Sequence, residues 1–482
     1  MPPRVSSWTG PAIWVAAVSA ALLLLFPVGF PNYDTIYALV WGRELAHGAS
    51  PDYGAALPPT PHPLADLLGL VTTPLGNGAI DMTMVVAYVS LALVGYLVYR
   101  LGSLWFDRPI GAVAALIVLT RAPYLSNGLR AYVDLPYIAL VLGALVMESK
   151  RRRAGWPVLA LLVLAGLLRP EAWGFSIAYW LWLALDYRGG IVWRGERSSR
   201  ELGWLALLAL AGPLLWTLFD GITTGNFLYS LTGTQETVET LKRKTGPVDL
   251  VLYGPRALGE VMQWPGMIGA LGGAALGFAF LRRRSALGLT AVVLALAAFA
   301  FLAAAGLAII ARYTMLAGAL LAIFVALALL GWRLLEREHP WRRRWQAFAG
   351  VVLLMFALWA PNQWDLDSTV HRDLSNQGTI ERDLSRLVDA GAFAEPLCGP
   401  IAVPNHRAIP RLAFGLEVKP TAIVSASEEG IPPRGYFLDP ASQFVIHNFI
   451  LDPNDPTRFS HAVPPGFREV ARNDSWILYR RC

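Results

Sequence analysis

The sequence predicts a polytopic α-helical membrane protein of about eleven spans, followed by a C-terminal extracytoplasmic α/β domain. Three observations predict it. Of 482 residues, 55% are hydrophobic and 15% charged, and the mean hydropathy is +0.46, far from the soluble globular average. Apolar stretches of roughly 18 to 22 residues, long enough to cross a hydrocarbon core, recur along most of the chain. From residue 362 they give way to one helical run and several short strand-like runs.

The spans fall near 11–30, 81–100, 109–122, 131–148, 156–169, 171–186, 203–220, 264–281, 286–307, 312–332 and 347–361, several of them short. The first lacks a small-residue cleavage site before "PNYD", so it reads as a helix rather than a signal peptide. Arg100 and Arg108, "KRRR" at 150–153, Arg188 with Arg194, Arg197 and Arg200, and "RRR" at 282–284 and 342–344 fall in alternate loops. Cytoplasmic loops retain Lys and Arg. The N-terminus is therefore expected in the cytoplasm of a multi-pass plasma (inner) membrane protein, with loops 31–80 and 221–263 and the tail from 362 outside. The net charge of +6 is mainly topological on this map. No nucleic-acid module surrounds the basic clusters, so the bilayer is the expected partner and nucleic acid is not.

In the tail, "GTIERDLSRLVDAGA" predicts a helix. "PIAVPN", "TAIVSAS", "GYFLDP" and "QFVIHNF" predict strands, and "REVARNDSWILYR" predicts a hairpin around Asn473–Asp474. Cys398 and Cys482 share this outside compartment, where oxidation is permitted. A disulfide is expected there, worth about 4 kcal/mol in the chain-entropy model; the alternative is two unpaired thiols. The tail holds no metal spacing, phosphate loop or nucleophile elbow, and reads as an accessory or recognition domain.

Several ionisable residues share one depth on this map: Asp34, Arg130, Asp134, Arg169, Glu171 and Arg312. Such groups are costly near the hydrocarbon and usually pair or line a polar cavity. Acids and bases gathered at one face suggest a site for an anion. Guanidinium suits phosphate through its planar fork, and a carboxylate beside it can act as general base toward a hydroxyl.

A first span ending in an acidic residue, Asp34, that opens the pattern "D-x-x-Y-x-x-x-x-G-R-E-L-x-x-G-x-x-P", further helices, a late "RY" and a C-terminal domain resemble membrane glycosyltransferases of the GT-C superfamily. The pattern is similar to the protein O-mannosyltransferases (glycosyltransferase family 39-like) and the bacterial aminoarabinose transferases of lipid A. The resemblance implies a transmembrane catalytic domain at 1–361 and an accessory domain at 362–482. It implies inverting transfer of a sugar from a polyprenyl-phosphate donor to an acceptor hydroxyl of a glycan, lipid or protein. Asp34 then takes the acceptor's proton, Arg312 neutralises the departing lipid phosphate, and Tyr313 adds a hydroxyl donor.

Other residues carry two readings each. "RAYVDLPYIAL" makes Asp134 an acceptor-orienting group or the partner of Arg130, and "LRPEAW" makes Arg169 a phosphate ligand or the partner of Glu171. His62 of "TPHPL" either bonds the acceptor or Asp34, or is a solvated loop residue; Lys242, Arg243 and Lys244 either attract phosphate or form a solvated surface. Asp34 is followed by Thr35, and the outside loops 31–80 and 221–263 carry no Asp-x-Asp pair. No cofactor and no divalent metal are therefore expected. A transporter or flippase for a lipid-linked anion, and an inactive scaffold, stand as alternatives; transport calls for charges through the membrane rather than at one face.

Overall fold

A computed structural model describes residues 9–188, 191–194, 197–393, 397–450, 459 and 462–482. Residues 1–8, which carry the expectation of a cytoplasmic N-terminus, lie outside the described residues. The chain opens with helices α1 (Thr9–Leu25), α2 (Tyr33–Ala46), α3 (Pro63–Thr72), α4 (Gly78–Trp105), α5 (Arg108–Leu119), α6 (Ala122–Leu129) and α7 (Asp134–Lys150). Next come α8 (Trp156–Gly166), α9 (Glu171–Ala184) and a short antiparallel hairpin of β1 (Leu185–Arg188) and β2 (Ile191–Arg194). The helical body is completed by α10 (Ser199–Thr224), α11 (Tyr229–Thr240), α12 (Gly246–Phe280), α13 (Arg282–Ala304) and α14 (Met315–Leu330). From it α15 (Arg342–Asp389) runs on into the tail, so residue 361 falls inside a continuous helix.

Among the described residues, five helical stretches are long and apolar enough to cross a membrane: Gly78–Trp105, Ser199–Thr224, Arg282–Ala304, Ala311–Leu334 and Arg342–Asp389. The pair α5 and α6, bent by 62°, makes a sixth. The remaining expected spans are shorter or broken. The stretch 11–30 stops being helical at Leu25, since Pro27 and Pro31 cannot continue it. Asp34 thus begins a new helix instead of ending the first span. Loop 31–80 contains α2 and α3, and 221–263 holds α11 and the first half of α12, which is interrupted at Gln263 (φ 56°).

At the centre stands α14, buried at every residue from Met315 to Ala328. Its Ala and Gly content lets neighbouring backbones approach closely. A Cβ at Gly273 of α12 would collide with the Phe324 carbonyl. This packing fixes the short 3₁₀ turn Ala311–Thr314, and with it Arg312, at one end of the bundle.

The tail holds β3 (Ile401–Val403), helix α16 (Ile409–Gly415), β4 (Ile423–Ser425), β5 (Gly435–Pro440), β6 (Arg468–Arg472) and β7 (Trp476–Arg481). Its sheet has the order β4-β3-β5-β7-β6: β3 pairs parallel with β4 and β5, while β7 runs antiparallel to β5 and β6. The expected hairpin forms. "QFVIHNF" does not form a strand: it is helical from Gln443 to Ile450, with the Ser442 carbonyl accepting from Val445 and Ile446. That turn buries Val445, Phe449 and Ile450 together, whereas an alternating strand would turn Ile450 to the face opposite the other two. The disulfide Cys398–Cys482 ties the last residue back across 84 positions.

Body and tail share a core. Ile36, Tyr37, Val40 and Trp41 of α2 are buried with Ile380, Leu384, Ile401, Trp476 and Leu478. Arg43 caps α16, donating from Nη1 to the Phe414 carbonyl (2.9 Å) and from Nη2 to the Ala413 carbonyl (3.0 Å). Asp52 Oδ2 accepts from Thr421 N at 2.9 Å. The "GREL" stretch therefore seats the tail on the body.

Candidate functional site

A cavity of about 1230 Å³ lies between the tail and the end of the bundle that carries Arg312. One side is apolar: Trp173 and Ile177 of α9 face Leu294, Ala298 and Phe301 of α13. Phe301 is 72% exposed and Ile177 44%, so this arm opens sideways at the bundle surface. The other side is polar and holds Asp34, His62, Arg130, Arg169, Glu171, Arg243, Arg312 and Tyr313.

Asp34 is placed by its helix cap. Asn32 Oδ1 accepts from Asp34 N (2.7 Å) and Thr35 N (3.2 Å), while Asn32 Nδ2 donates to the Arg130 carbonyl (2.7 Å). The cap satisfies donors that a helix start leaves open. It also ties α2 to the turn before α7. Arg312 Nη1 stands 3.4 Å from Asp34 Oδ2, each side chain about a quarter exposed at 22% and 24%. The guanidinium lies over the rings of Tyr132 (4.9 Å) and Tyr313 (5.4 Å), and its Nε has no hydrogen-bond partner among the described residues.

Arg169 is engaged differently. It donates from Nη1 to Asp134 Oδ1 (2.7 Å), from Nη2 to Glu171 Oε1 (2.7 Å) and from Nε to the same oxygen (3.0 Å), with Tyr313 stacked 4.2 Å away. All three charged groups are buried. Of the two readings for Arg169 the geometry realises the pairing with Glu171. Asp134 pairs with Arg169, not with Arg130. Arg130 instead donates from Nε and Nη2 to Gln377 Oε1 (3.2 and 3.0 Å) and from Nη1 to Ser126 Oγ.

His62 is no solvated loop residue. It caps α3 half-buried in the cavity wall, edge-on to Trp216 at 5.7 Å, with Nδ1 unpartnered among the described residues. Burial, reinforced by the charges of Arg169 and Arg312, pushes its pKa down to about 3, so the ring is neutral. The basic run divides. Arg243 lines the cavity, whereas Lys242, in the left-handed region (φ 51°) after α11, is exposed outside its lining. Lys244 lies over Tyr253, 5.3 Å away, in the wall of a separate small pocket. No group of three or more His, Cys, Asp or Glu side chains stands close enough to hold a metal among the described residues.

No family model and no curated protein matches the sequence. Solved structures do match. ArnT from Cupriavidus metallidurans bound to undecaprenyl phosphate superposes with a TM-score of 0.55 at 12% identity, over 98% of each chain. The same protein in the apo state gives 0.54 at 14% identity, again over 98% of each chain. The chain has the GT-C fold.

The cavity also contains residues that the sequence did not single out. Gln377 and Glu381 of α15, and His406 and Arg407 of the turn before α16, line it from the tail side. Burial pushes the Glu381 carboxyl up to about 7, against the opposing charge of Arg411. In sequence Gln377 and Glu381 sit one turn apart beside the apolar stripe Ile380, Leu384 and Leu387, a spacing that solvated helix faces share. Asp220 left a stronger signal, as a carboxylate inside an apolar span. It lines the cavity and accepts from Ser230 N (2.9 Å) and Oγ (2.8 Å), holding α11 against α10.

Proposed function

We propose that the chain is an inverting glycosyltransferase that moves a sugar from a polyprenyl-phosphate donor to an acceptor hydroxyl at the extracytoplasmic membrane face. One observation carries this reading: a sideways-opening apolar arm meets, in the same cavity, an arginine loosely paired with a carboxylate. A polyprenyl chain fits the arm and its phosphate the unpartnered edge of Arg312. The match to ArnT bound to undecaprenyl phosphate supports the same donor class.

In the step, phosphate takes Arg312 from Asp34. Asp34 accepts the proton of the acceptor hydroxyl, whose oxygen bonds to the anomeric carbon as the carbon–oxygen bond to phosphate breaks on the opposite side. Configuration inverts, and polyprenyl phosphate leaves with its charge on Arg312, helped by Arg243 and the Tyr313 hydroxyl. Arg312 takes the place a divalent cation could fill, and the proposed step uses no metal. Asp134, Arg169 and Glu171 brace Tyr313 from below, Arg130 holds the Asn32 cap and the tail together, and neutral His62 is an uncharged hydrogen-bonding group in the wall.

Orientation follows from the helix ends. Lys150, Arg282 and Arg342 mark ends of α7, α13 and α15 whose far ends reach the cavity or its ion cluster. If basic ends are cytoplasmic, the cavity and tail are outside, in a multi-pass plasma (inner) membrane protein of about eleven segments, some of them broken within the bilayer. A flippase needs polar groups along a path through the bundle, yet α14 at its centre is apolar throughout.

The test is donor turnover. Purified protein in liposomes with a panel of polyprenyl-phosphate sugars and of saccharide, peptide and alcohol acceptors should release polyprenyl phosphate, and Asp34→Asn protein should not. Equal release from both, or none from wild type, overturns the reading.

A further inference from the structure

The tail side of the cavity that holds Asp34 carries a donor and an acceptor set one helical turn apart. Gln377 Oε1 is occupied by Arg130, while its amide NH₂ has no partner among the described residues. Glu381 has a 10% exposed side chain whose Oε2 accepts no hydrogen bond. The nearest cation, Arg411 Nε, is 3.6 Å away and donates to Ser385 Oγ at 2.7 Å instead. An under-satisfied buried carboxyl is costly unless a ligand completes it. Beside this pair stands the ring of His406, edge-on to Tyr33 at 5.4 Å, whereas Phe449 is packed edge-on to Trp476 in the tail core.

We infer that this face is the acceptor subsite and that it takes a saccharide, with Glu381 and Gln377 bonding hydroxyls next to the one that Asp34 deprotonates. The inference rests on the proposed transferase reading and deepens it. A sugar hydroxyl both donates and accepts, so neighbouring hydroxyls match a carboxyl and an amide NH₂ side by side. The His406 ring suits the C–H face of a pyranose. A pKa near 7 lets the carboxyl serve as acceptor or donor around neutrality.

Other acceptor classes fit less well. An extended peptide is usually held by backbone pairing to a sheet edge, and no residue of β3 to β7 lines the cavity. A lipid tail needs an apolar wall, and the apolar arm on α9 and α13 is already assigned to the donor.

The experiment uses the full-length protein, a polyprenyl-phosphate sugar and three acceptor probes: methyl glycosides of common hexoses, a serine-containing peptide and dodecanol. Transfer to water, measured as donor hydrolysis, reports the donor half of the site by itself. Wild type should glycosylate a methyl glycoside and neither of the other probes. Glu381→Ala, and separately Gln377→Ala should the first variant misfold, should lower the ratio of saccharide transfer to hydrolysis roughly two- to tenfold, as expected for one lost hydrogen bond. Asp34-dependent hydrolysis with transfer to the peptide or to dodecanol overturns the saccharide assignment and leaves the transferase reading standing. An unchanged ratio in both variants removes these residues from the acceptor site. Absence of both hydrolysis and transfer in wild type overturns the transferase reading and the inference with it.

Discussion

Arg312 Nη1 lies 3.4 Å from Asp34 Oδ2, a contact between side chains 278 positions apart in the chain. At that separation the pair is held more by Coulomb attraction than by a short hydrogen bond. Burial of α14 fixes one partner and the Asn32 cap fixes the other, so neither needs the other to stay in place. A phosphate can therefore take the arginine without disturbing the carboxylate, which is the requirement of the proposed step.

The first prediction concerns Asp34. Asp34→Asn keeps the volume and one hydrogen-bonding oxygen but loses the basicity. General base catalysis contributes about 10²- to 10⁴-fold, so turnover per folded molecule should fall by that order while the melting temperature stays near wild type. Altered stability with near-normal turnover would make Asp34 a structural residue.

Arg312 should govern donor affinity. Removing a guanidinium leaves a phosphate charge unpaired in a poorly hydrated site, a loss of about 2 to 5 kcal/mol. Arg312→Ala should weaken undecaprenyl-phosphate binding by that amount, and Arg312→Lys by less, since a point charge replaces the fork. Titration of the purified variants with the lipid checks this; affinity equal to wild type in Arg312→Ala removes the residue from the donor site.

Arg169 should behave as a structural cation. Its guanidinium serves two buried carboxylates, and removing one partner of a buried ion group typically costs about 3 to 5 kcal/mol. Arg169→Met should lower the melting temperature strongly, and adding Asp134→Asn with Glu171→Gln should restore part of the loss. A variant as stable as wild type with weakened lipid binding would return Arg169 to the phosphate.

How far these roles were legible depends on distance along the chain. Membrane class, the tail's α/β character and the disulfide followed from composition and compartment, and the map of spans grouped Asp34 with Arg312, which the structure brings into contact. The partner of Asp134 did not: Arg130 is four residues away and Arg169 thirty-five, and only the packing of α7 against α8 decides between them. Lys242 and Arg243 are adjacent, yet a left-handed residue after α11 sends only the second toward the cavity. The tail-side lining was hidden for the same reason, because Gln377 and Glu381 reach the site only through α2 docking in the tail core.

The disulfide should stabilise the tail. Closing a loop of this length constrains the unfolded chain by about 4 to 5 kcal/mol in the entropy model, and Cys398–Cys482 spans 84 positions. Cys398→Ser with Cys482→Ser should make the tail more susceptible to proteolysis at elevated temperature while the helical body resists as before. Identical cleavage rates would show that docking on α2 alone holds the tail.

Glu381 gives a pH signature of definite sign. Its folded carboxyl titrates near 7, against an ordinary value of 4.5, because burial disfavours the charged form more than Arg411 favours it. Between those two values the folded chain holds a proton that the unfolded chain has released, so stability falls as pH rises through the window. Below about 4.5 the group contributes no penalty; above about 7 the penalty is complete and constant, roughly 3 kcal/mol at 1.36 kcal/mol per unit. Glu381→Gln mimics the protonated acid and cannot titrate. The wild-type protein should therefore lose stability relative to Glu381→Gln as pH is raised from 5 to 8, with no further divergence from 8 to 9. Thermal unfolding of both proteins across this range measures the difference directly. Parallel curves from 5 to 8 would mean that Glu381 is charged and satisfied throughout, and would remove both the pH dependence and the unmet hydrogen-bonding capacity on which the acceptor assignment depends.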